Sequence, residues 1–207
     1  GETTQLDVKA DSVVIANYAD HALEAAEVIV AAQNTVDLRE GSLISAQGES
    51  GDAGHYETPG EGALVRVAST RATFSRTGSP GDSQGTLAGT GTLVAADSIT
   101  LDATKDNAFQ GAANFIKDGQ VVSGNLAVGA RRINFGEAPT GSEGITYSQA
   151  DLDGLNSLGG LVLTSYTTFD LYGDVNVGGV DADGKPTLQN LVLQGAGLAG
   201  IDNAGKT

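Results

Sequence analysis

The chain has no cysteine, no methionine and no tryptophan, and only two histidines, among its 207 residues. Without cysteine there can be no disulfide, no thiolate metal site and no cysteine nucleophile, and the absence fits a protein exported unfolded to work in an oxidising place. With only His21 and His55 to draw on, a zinc cluster or a nucleophile–base pair has little material. Basic residues are also few: 11 against 26 acids, for a net charge of −15. Nucleic-acid binding needs clustered Lys and Arg to neutralise phosphate, so nucleic acid is not expected as a partner. The same charge disfavours anionic membrane surfaces. Arg131-Arg132 reads as a solvated corner. No run approaches the roughly 18 apolar residues of a membrane span, so no membrane insertion is expected. There is neither an initiating methionine nor a signal peptide. Together with a pattern still running at the C-terminus, this suggests a segment of a larger polypeptide.

What is present is glycine, 30 residues against four prolines, and short alternating runs of Val, Leu, Ile and Ala. One stretch sets the pattern. In Gly91-Thr-Leu-Val-Ala-Ala-Asp-Ser-Ile-Thr-Leu101 two short strands flank a corner at Ala95–Ser98, and period-two alternation assigns Thr92, Val94, Ile99 and Leu101 to one face. The same pattern occurs at Leu6–Ile15, Val28–Leu38, Val65–Phe74, Leu126–Phe135 and Leu161–Leu171, and less regularly at Leu191–Leu198. The residues that close the first strand (Val8, Val30, Val67, Val94, Val128, Leu163 and Leu193) follow one another at intervals of 22 to 37 residues. One such unit cannot bury its apolar face alone, and stacked copies can. The expected architecture is therefore all-β: a parallel β-helix, or solenoid, of about seven turns with inserted loops, occupying residues 1–207 as a single segment. The Gly- and Pro-rich stretches Gln47–Gly62 and Arg76–Gly85 read as loops. One short helix is expected near 148–158, with Ser148 as N-cap, Asp151 in the capping-box place, and Leu152, Leu155 and Leu158 on one stripe, lying as a lid on the stack.

Candidate chemistry would sit on the outward face of the second strand, at Val14, Asp37, Thr73, Thr100, Asn134 and Asp170. Turns stack roughly 4.8 Å apart, which sets Asp37 and Asp170 about 19 Å apart over four turns. A glycosidase needs its carboxylates roughly 5 to 10 Å apart. Asp52, Glu57 and Glu61 in the first insert read as a solvated acidic loop, and His55 beside Tyr56 as a loop contact. Asp181-Ala-Asp-Gly184 and Asp151-Leu-Asp-Gly154 echo the start of a calcium loop but never reach its closing glutamate, so turns are the ordinary explanation. Gly205-Lys-Thr207 lacks the upstream glycine of a phosphate loop. Asn107, Asn114, Asn125 and Asn134 could form a ladder with inward-stacked amides. No catalytic, cofactor-binding or metal-ligating residue is assigned, and no cofactor is expected.

The segment Leu23–Gly48 resembles the filamentous haemagglutinin-like exoproteins of bacterial two-partner secretion, as do Gly62–Ser69, Ser98–Thr104 and Leu161–Asp174. The resemblance implies a right-handed parallel β-helix exported across the outer membrane by a secretion partner. It further implies display on the bacterial surface as a fibre for adhesion, biofilm growth or cell contact, with a host or bacterial receptor and no catalysis of its own. The amino-terminal secretion domain of that family is not in this sequence, nor an Arg-Gly-Asp tripeptide, nor a carboxy-terminal toxin domain. The alternative is a carbohydrate-active or carbohydrate-binding β-helix.

In such a stack each turn touches mainly its neighbours, so stability is local and additive, and uncapped ends invite association with flanking turns or with other copies. Val94→Asp is expected to be costly and Thr100→Asp nearly silent.

Overall fold

Residues 5–18, 20–48 and 54–201 are described by the structure, a computed structural model. The alternating runs form strands almost throughout. β1 (Gln5–Ile15), β2 (Leu23–Glu24), β3 (Glu27–Leu38) and β4 (Leu43–Ala46) come first, followed by β5 (Gly54–Pro59), β6 (Ala63–Ala68) and β7 (Ala72–Thr77). Then come β8 (Thr86–Gly89), β9 (Thr92–Ala95), β10 (Ser98–Ala103), β11 (Asp106–Phe109), β12 (Ala112–Lys117) and β13 (Gln120–Val121). β14 (Asn125–Ala130), β15 (Ile133–Gly136) and β16 (Ile145–Tyr147) lead into helix α1 (Gln149–Gly154) and a 3-10 turn at Leu155–Ser157. β17 (Gly160–Ser165), β18 (Phe169–Tyr172), β19 (Asn190–Gln194) and β20 (Leu198–Ile201) are the last of the described strands.

A nine-stranded sheet runs β11-β8-β3-β6-β10-β14-β17-β19, with β1 also on β3. A five-stranded sheet runs β13-β12-β9-β4-β2 and a four-stranded sheet β16-β15-β18-β20, while β5 and β7 pair by themselves. The inward alternation of the large sheet is continuous. Val8 lies beside Val30, Val30 beside Val65, Val65 beside Leu101, Leu101 beside Val128, Val128 beside Leu163 and Leu163 beside Leu193. From Val30 to Leu163 this row is at most 8 % exposed, and it forms one core with Ile44 and Leu93 of the five-stranded sheet and Ile133 and Phe169 of the four-stranded one. Burying such a side chain contributes about 1.5–3 kcal/mol, so each buried member of the row contributes substantially to stability.

The all-β expectation holds, but the sheets are mixed rather than uniformly parallel. β6 runs antiparallel to both β3 and β10, and β13 is antiparallel to β12. The cause lies in the first insert, expected to be loop, where β5 forms and pairs in parallel with β7. Between those two strands the chain makes a U-turn into the large sheet and another out of it, so β6 enters reversed. The turn at Gly60–Gly62 uses φ values of 71° and 150°, and a Cβ on Gly62 would lie 2.8 Å from the Ala32 carbonyl oxygen. Reversal exchanges the partners: Val65, not Val67, takes the place beside Val30, and Val67 lies between Val28 and Ile99. Ala72–Phe74 does not stack as a second strand at all. That place is filled by Leu87 of β8, between Val36 and Asn107.

The guiding stretch needs a further correction. β9 and β10 belong to different sheets, and Val94 lies between Ser45 and Asn114, half-buried. The inward residues of β9 are Leu93 and Ala95, both 0 % exposed. A one-residue slip in phase turns every side chain of a strand to the other face, which moves Val94 out of the core and makes Leu93 the sensitive position. The asparagines also fail to form one ladder, since Asn107 is buried beside Leu87, Asn114 is exposed beside Val94, and Asn134 lies between Asp170 and Thr146.

The helix forms as its sequence dictates. The Ser148 hydroxyl accepts from the Asp151 backbone N–H, and the Asp151 carboxylate accepts from the Ser148 N–H at 2.8 Å. Leu152 and Leu158 are buried in the common core and Leu155 packs against it.

Candidate functional site: a buried ionic layer

The strongest concentration of chemistry lies between the β5–β7 pair and the outer face of β3, β6 and β10. In an ordinary strand with one wet face, the residues opposite the core alternate with it and stay exposed. Here they do not. Ile29, Leu64, Arg66, Thr100 and Asp102 are all at most 2 % exposed, because β5 and β7 lie over them.

Two arginines tie the layers together. Arg66 Nε donates to Glu27 Oε1 at 2.5 Å, and its Nη1 donates to the Thr73 carbonyl on β7 at 2.7 Å. Arg66 Nη2 donates to the Gly54 carbonyl on β5 at 3.3 Å, and the guanidinium lies 5.9 Å from the Tyr56 ring centre. Arg76, from β7, reaches down in the other direction. Its Nε and Nη2 both donate to Asp102 Oδ2, at 3.0 and 2.5 Å, while Nη1 and Nη2 also serve the carbonyls of Gly60 and Gly62. The Tyr166 hydroxyl donates to the remaining oxygen, Asp102 Oδ1.

That last contact depends on Gly129, which sits beside Asp102 across the β10–β14 ladder. A Cβ at Gly129 would come within 1.9 Å of Asp102 Oδ1. Burial pushes the Asp102 carboxyl above its ordinary value, opposed by the Arg76 charge and by the hydrogen bonds from Tyr166 and Arg76. Burial also raises the Tyr166 phenol, and the neighbouring Asp102 charge raises it further. Buried charges are tolerated when they are paired and hydrogen-bonded. Both Asp102 oxygens are occupied by protein donors, so this arrangement clasps two layers together rather than presenting a group to a substrate.

The residues singled out from sequence have other neighbours. Asp37 is held by Arg39 at 2.7 Å in the large sheet, whereas Asp170 in the four-stranded sheet accepts from Arg132 at 3.1 Å and from Thr168 at 2.9 Å. Asn134 and Thr100, expected outward, are 0 % and 2 % exposed. Arg131-Arg132 is a paired corner rather than a solvated one, with Arg131 3.0 Å from both Asp82 and Glu143. Glu57 is exposed on β5, while Glu61 accepts from the Ser83 hydroxyl at 2.6 Å and the Gln84 N–H at 2.7 Å, which lowers its pKa. Asp52 and Gly205–Thr207 fall outside the described residues. His55 is a strand residue, its ring nitrogens each 3.0 Å from the hydroxyls of Thr73 and Ser75, and His21 is exposed. Asp181 accepts from the N–H groups of Asp183 and Lys185, both at 2.9 Å, the hydrogen bonding of a turn. Among the described residues no group of three or more His, Cys, Asp or Glu could hold a metal ion, and no helix is long and apolar enough to cross a membrane.

The clasp is not evident from alternation or composition. Its signal in the sequence is a charged residue inside an otherwise apolar run, Arg66 between Val65 and Val67, but such a residue reads as outward and wet until the covering strands are known. No family model, no curated protein and no solved structure matches this chain.

Proposed function

We propose that the chain is a structural segment of a secreted bacterial surface fibre, serving adhesion, biofilm growth or cell contact, and that its strands wind as a right-handed β-helix interrupted by the reversed β6. The observation that supports this reading most is the continuous inward row from Val8 to Leu193, in which successive strands of the large sheet add in register. The chain passes from β8 to β9 to β10, and again from β11 to β12 to β14, visiting the large and five-stranded sheets in the same order. Such a coil buries apolar surface along its whole length and leaves its outer faces to meet a receptor. Export unfolded through an outer-membrane partner suits a chain without cysteine.

Beads coated with the purified protein, scored for attachment to bacterial and epithelial cells, test the reading. Attachment above beads coated with heat-unfolded protein is the expected result, and equal attachment contradicts adhesion. A second reading, carbohydrate binding, draws on a groove of about 320 Å³ beside β7, lined by Val162 and Val192 together with Arg71, Phe74, Asn125 and Gln194. Amides, a guanidinium and an aromatic face suit sugars. Incubation with acidic and neutral polysaccharides separates the two: cleavage that survives repurification would overturn the structural reading, and retention without cleavage would favour the groove.

A further inference from the structure

The inward rows of the large sheet are tight on either side of a looser middle. Val28, Val30, Val65, Val67 and Ile99 are 0 % exposed, and Leu161 and Leu163 are 1 and 0 % exposed. Between them Leu101, Leu126 and Val128 are 8, 9 and 4 % exposed. The cause is a seam in the strand topology. β10 pairs directly with β14, but β11, which follows β10 in the chain, pairs with β8 alone, and β16 pairs with β15 alone. Among the described residues no ladder joins β11 to β16. A cavity of about 690 Å³ lies at this seam, lined by Leu101, Leu126 and Val128 of the large sheet, Phe109 of β11, Ile145 of β16 and Leu155 just after α1. Small-molecule sites occupy roughly 300–1,000 Å³, with mostly apolar walls and a few polar groups.

The polar groups of this lining differ in what they can offer. Asn107 is already committed, its Nδ2 donating to the carbonyls of Leu101 at 3.2 Å and Gly129 at 3.0 Å. Gln110 and Thr146 are exposed. Tyr147 is half-buried, its ring centre 6.4 Å from that of Phe135. Among the described residues its hydroxyl has no hydrogen-bond partner. Burial and the Asp151 charge both push the phenol above its ordinary value, so it is held protonated. An apolar ring with an unpaired hydroxyl offers a ligand one donor.

Charge narrows the class of ligand. Asp151 is the one charged residue of the described lining, and with a net charge of −15 it repels an anion. A cation fares no better, because Asp151 Oδ2 is engaged in the helix cap by the Ser148 N–H and hydroxyl, at 2.8 and 2.6 Å. Any ion would also lose its hydration against apolar walls. We propose that this seam binds an uncharged, largely apolar small molecule whose hydrogen-bond acceptor meets the Tyr147 hydroxyl. The inference goes beyond the surface-fibre reading and stands without it, because it draws only on the cavity between residues 101 and 155.

Nile red, an uncharged apolar dye with a carbonyl acceptor, is the first probe, and the anionic dye anilinonaphthalene sulfonate is its contrast. Fluorescence titration should show one saturable Nile red site per chain and at least tenfold weaker binding of the sulfonate. Gly154 lines the cavity with φ −63°, and a Cβ there would meet nothing within 4 Å. Gly154→Trp should therefore keep the circular dichroism while weakening Nile red at least tenfold. Ala113→Phe, which fills the cavity from β12, gives the same readout should the first variant fail to fold. Tyr147→Phe should weaken Nile red about two- to tenfold and leave pyrene, a hydrocarbon without an acceptor, unchanged. Absence of a saturable site, a sulfonate bound as tightly as Nile red, Nile red binding unaffected in the folded filling variants, or equal losses of Nile red and pyrene in Tyr147→Phe would each overturn the proposal.

Discussion

β10 and β17 belong to the same sheet, and each turns alternate apolar side chains toward the same core, yet their opposite faces differ. On β10 that face carries Ser98, Thr100 and Asp102, none more than 3 % exposed, under the β5–β7 layer. On β17 the corresponding Val162 and Thr164 are half-buried, and Val162 lines an open groove. The inward row is governed by alternation alone. What the outer face tolerates is governed by whether a second layer lies over it, and the buried charges of Arg66, Arg76 and Asp102 are found where that layer supplies their partners.

Substitutions can break this contrast in order of severity. Val65→Asp places an unpaired charge in the dry inward row, a change that should cost about 3–5 kcal/mol and abolish cooperative thermal unfolding at ordinary temperatures; a melting curve like the parent's would mean that β6 is wrongly placed. Arg76→Ala should cost nearly as much, about 3 kcal/mol by chemical denaturation, because it leaves the Asp102 carboxylate buried without its cation. If the clasp is what counts, Arg76→Met combined with Asp102→Leu should be milder than Arg76→Ala alone, since an apolar pair of similar volume removes both charges.

A matched pair of lysines probes the covered and uncovered halves directly. Thr100→Lys adds a second buried cation beside Arg66, its cross-strand partner, and should lower stability by about 2 kcal/mol or more. Val162→Lys, on the open half, can extend its ammonium into water and should change stability by less than about 1 kcal/mol. Equal effects would erase the distinction between the halves.

The smallest effect is on pH dependence. An unfolded tyrosine ionises near 10.0 and the folded Tyr166 above it, so the folded state keeps a proton that the unfolded state has lost. The contribution of Tyr166 is therefore complete below pH 10 and declines as pH rises past it, by at most about 1.4 kcal/mol per pH unit. Tyr166→Phe should flatten the alkaline limb of the stability profile while lowering the plateau, because Asp102 Oδ1 loses its donor. An unchanged alkaline slope would remove Tyr166 from the clasp.

Much of this was legible in the residues. Alternation found Val8, Val30, Val128, Leu163 and Leu193 in their observed row, and the Ser148–Asp151 spacing found the capping box of α1. Alternation does not give strand direction, however, and Val65-Arg-Val67 fits a parallel or a reversed strand equally well. That ambiguity exchanged Val65 for Val67. In Thr92-Leu-Val-Ala95 the apolar pair is Leu93 and Ala95, and the observed phase follows it; Val94 takes the inward place only when the strand is aligned with the valine-ended strands of the other repeats. The clasp was hidden for a related reason. Gly54–Pro59 has the composition of a loop, yet His55 and Glu57 alternate with the half-buried Tyr56 and Thr58, a strand pattern that the neighbouring glycines and proline obscured. Without β5 the outer face of β6 and β10 reads as solvent, and Arg66 and Asp102 read as surface charges.

The orientation of β6 is where the inward row and the clasp meet, and methyl–methyl nuclear Overhauser contacts in a selectively labelled sample measure it directly. Strong contacts from Val65 to both Val30 and Leu101, with Val67 in contact with Val28 and Ile99, are the expected result. Strong contacts from Val67 to Val30 and Leu101, with Val65 displaced toward Val28, would show β6 running parallel and would contradict the account.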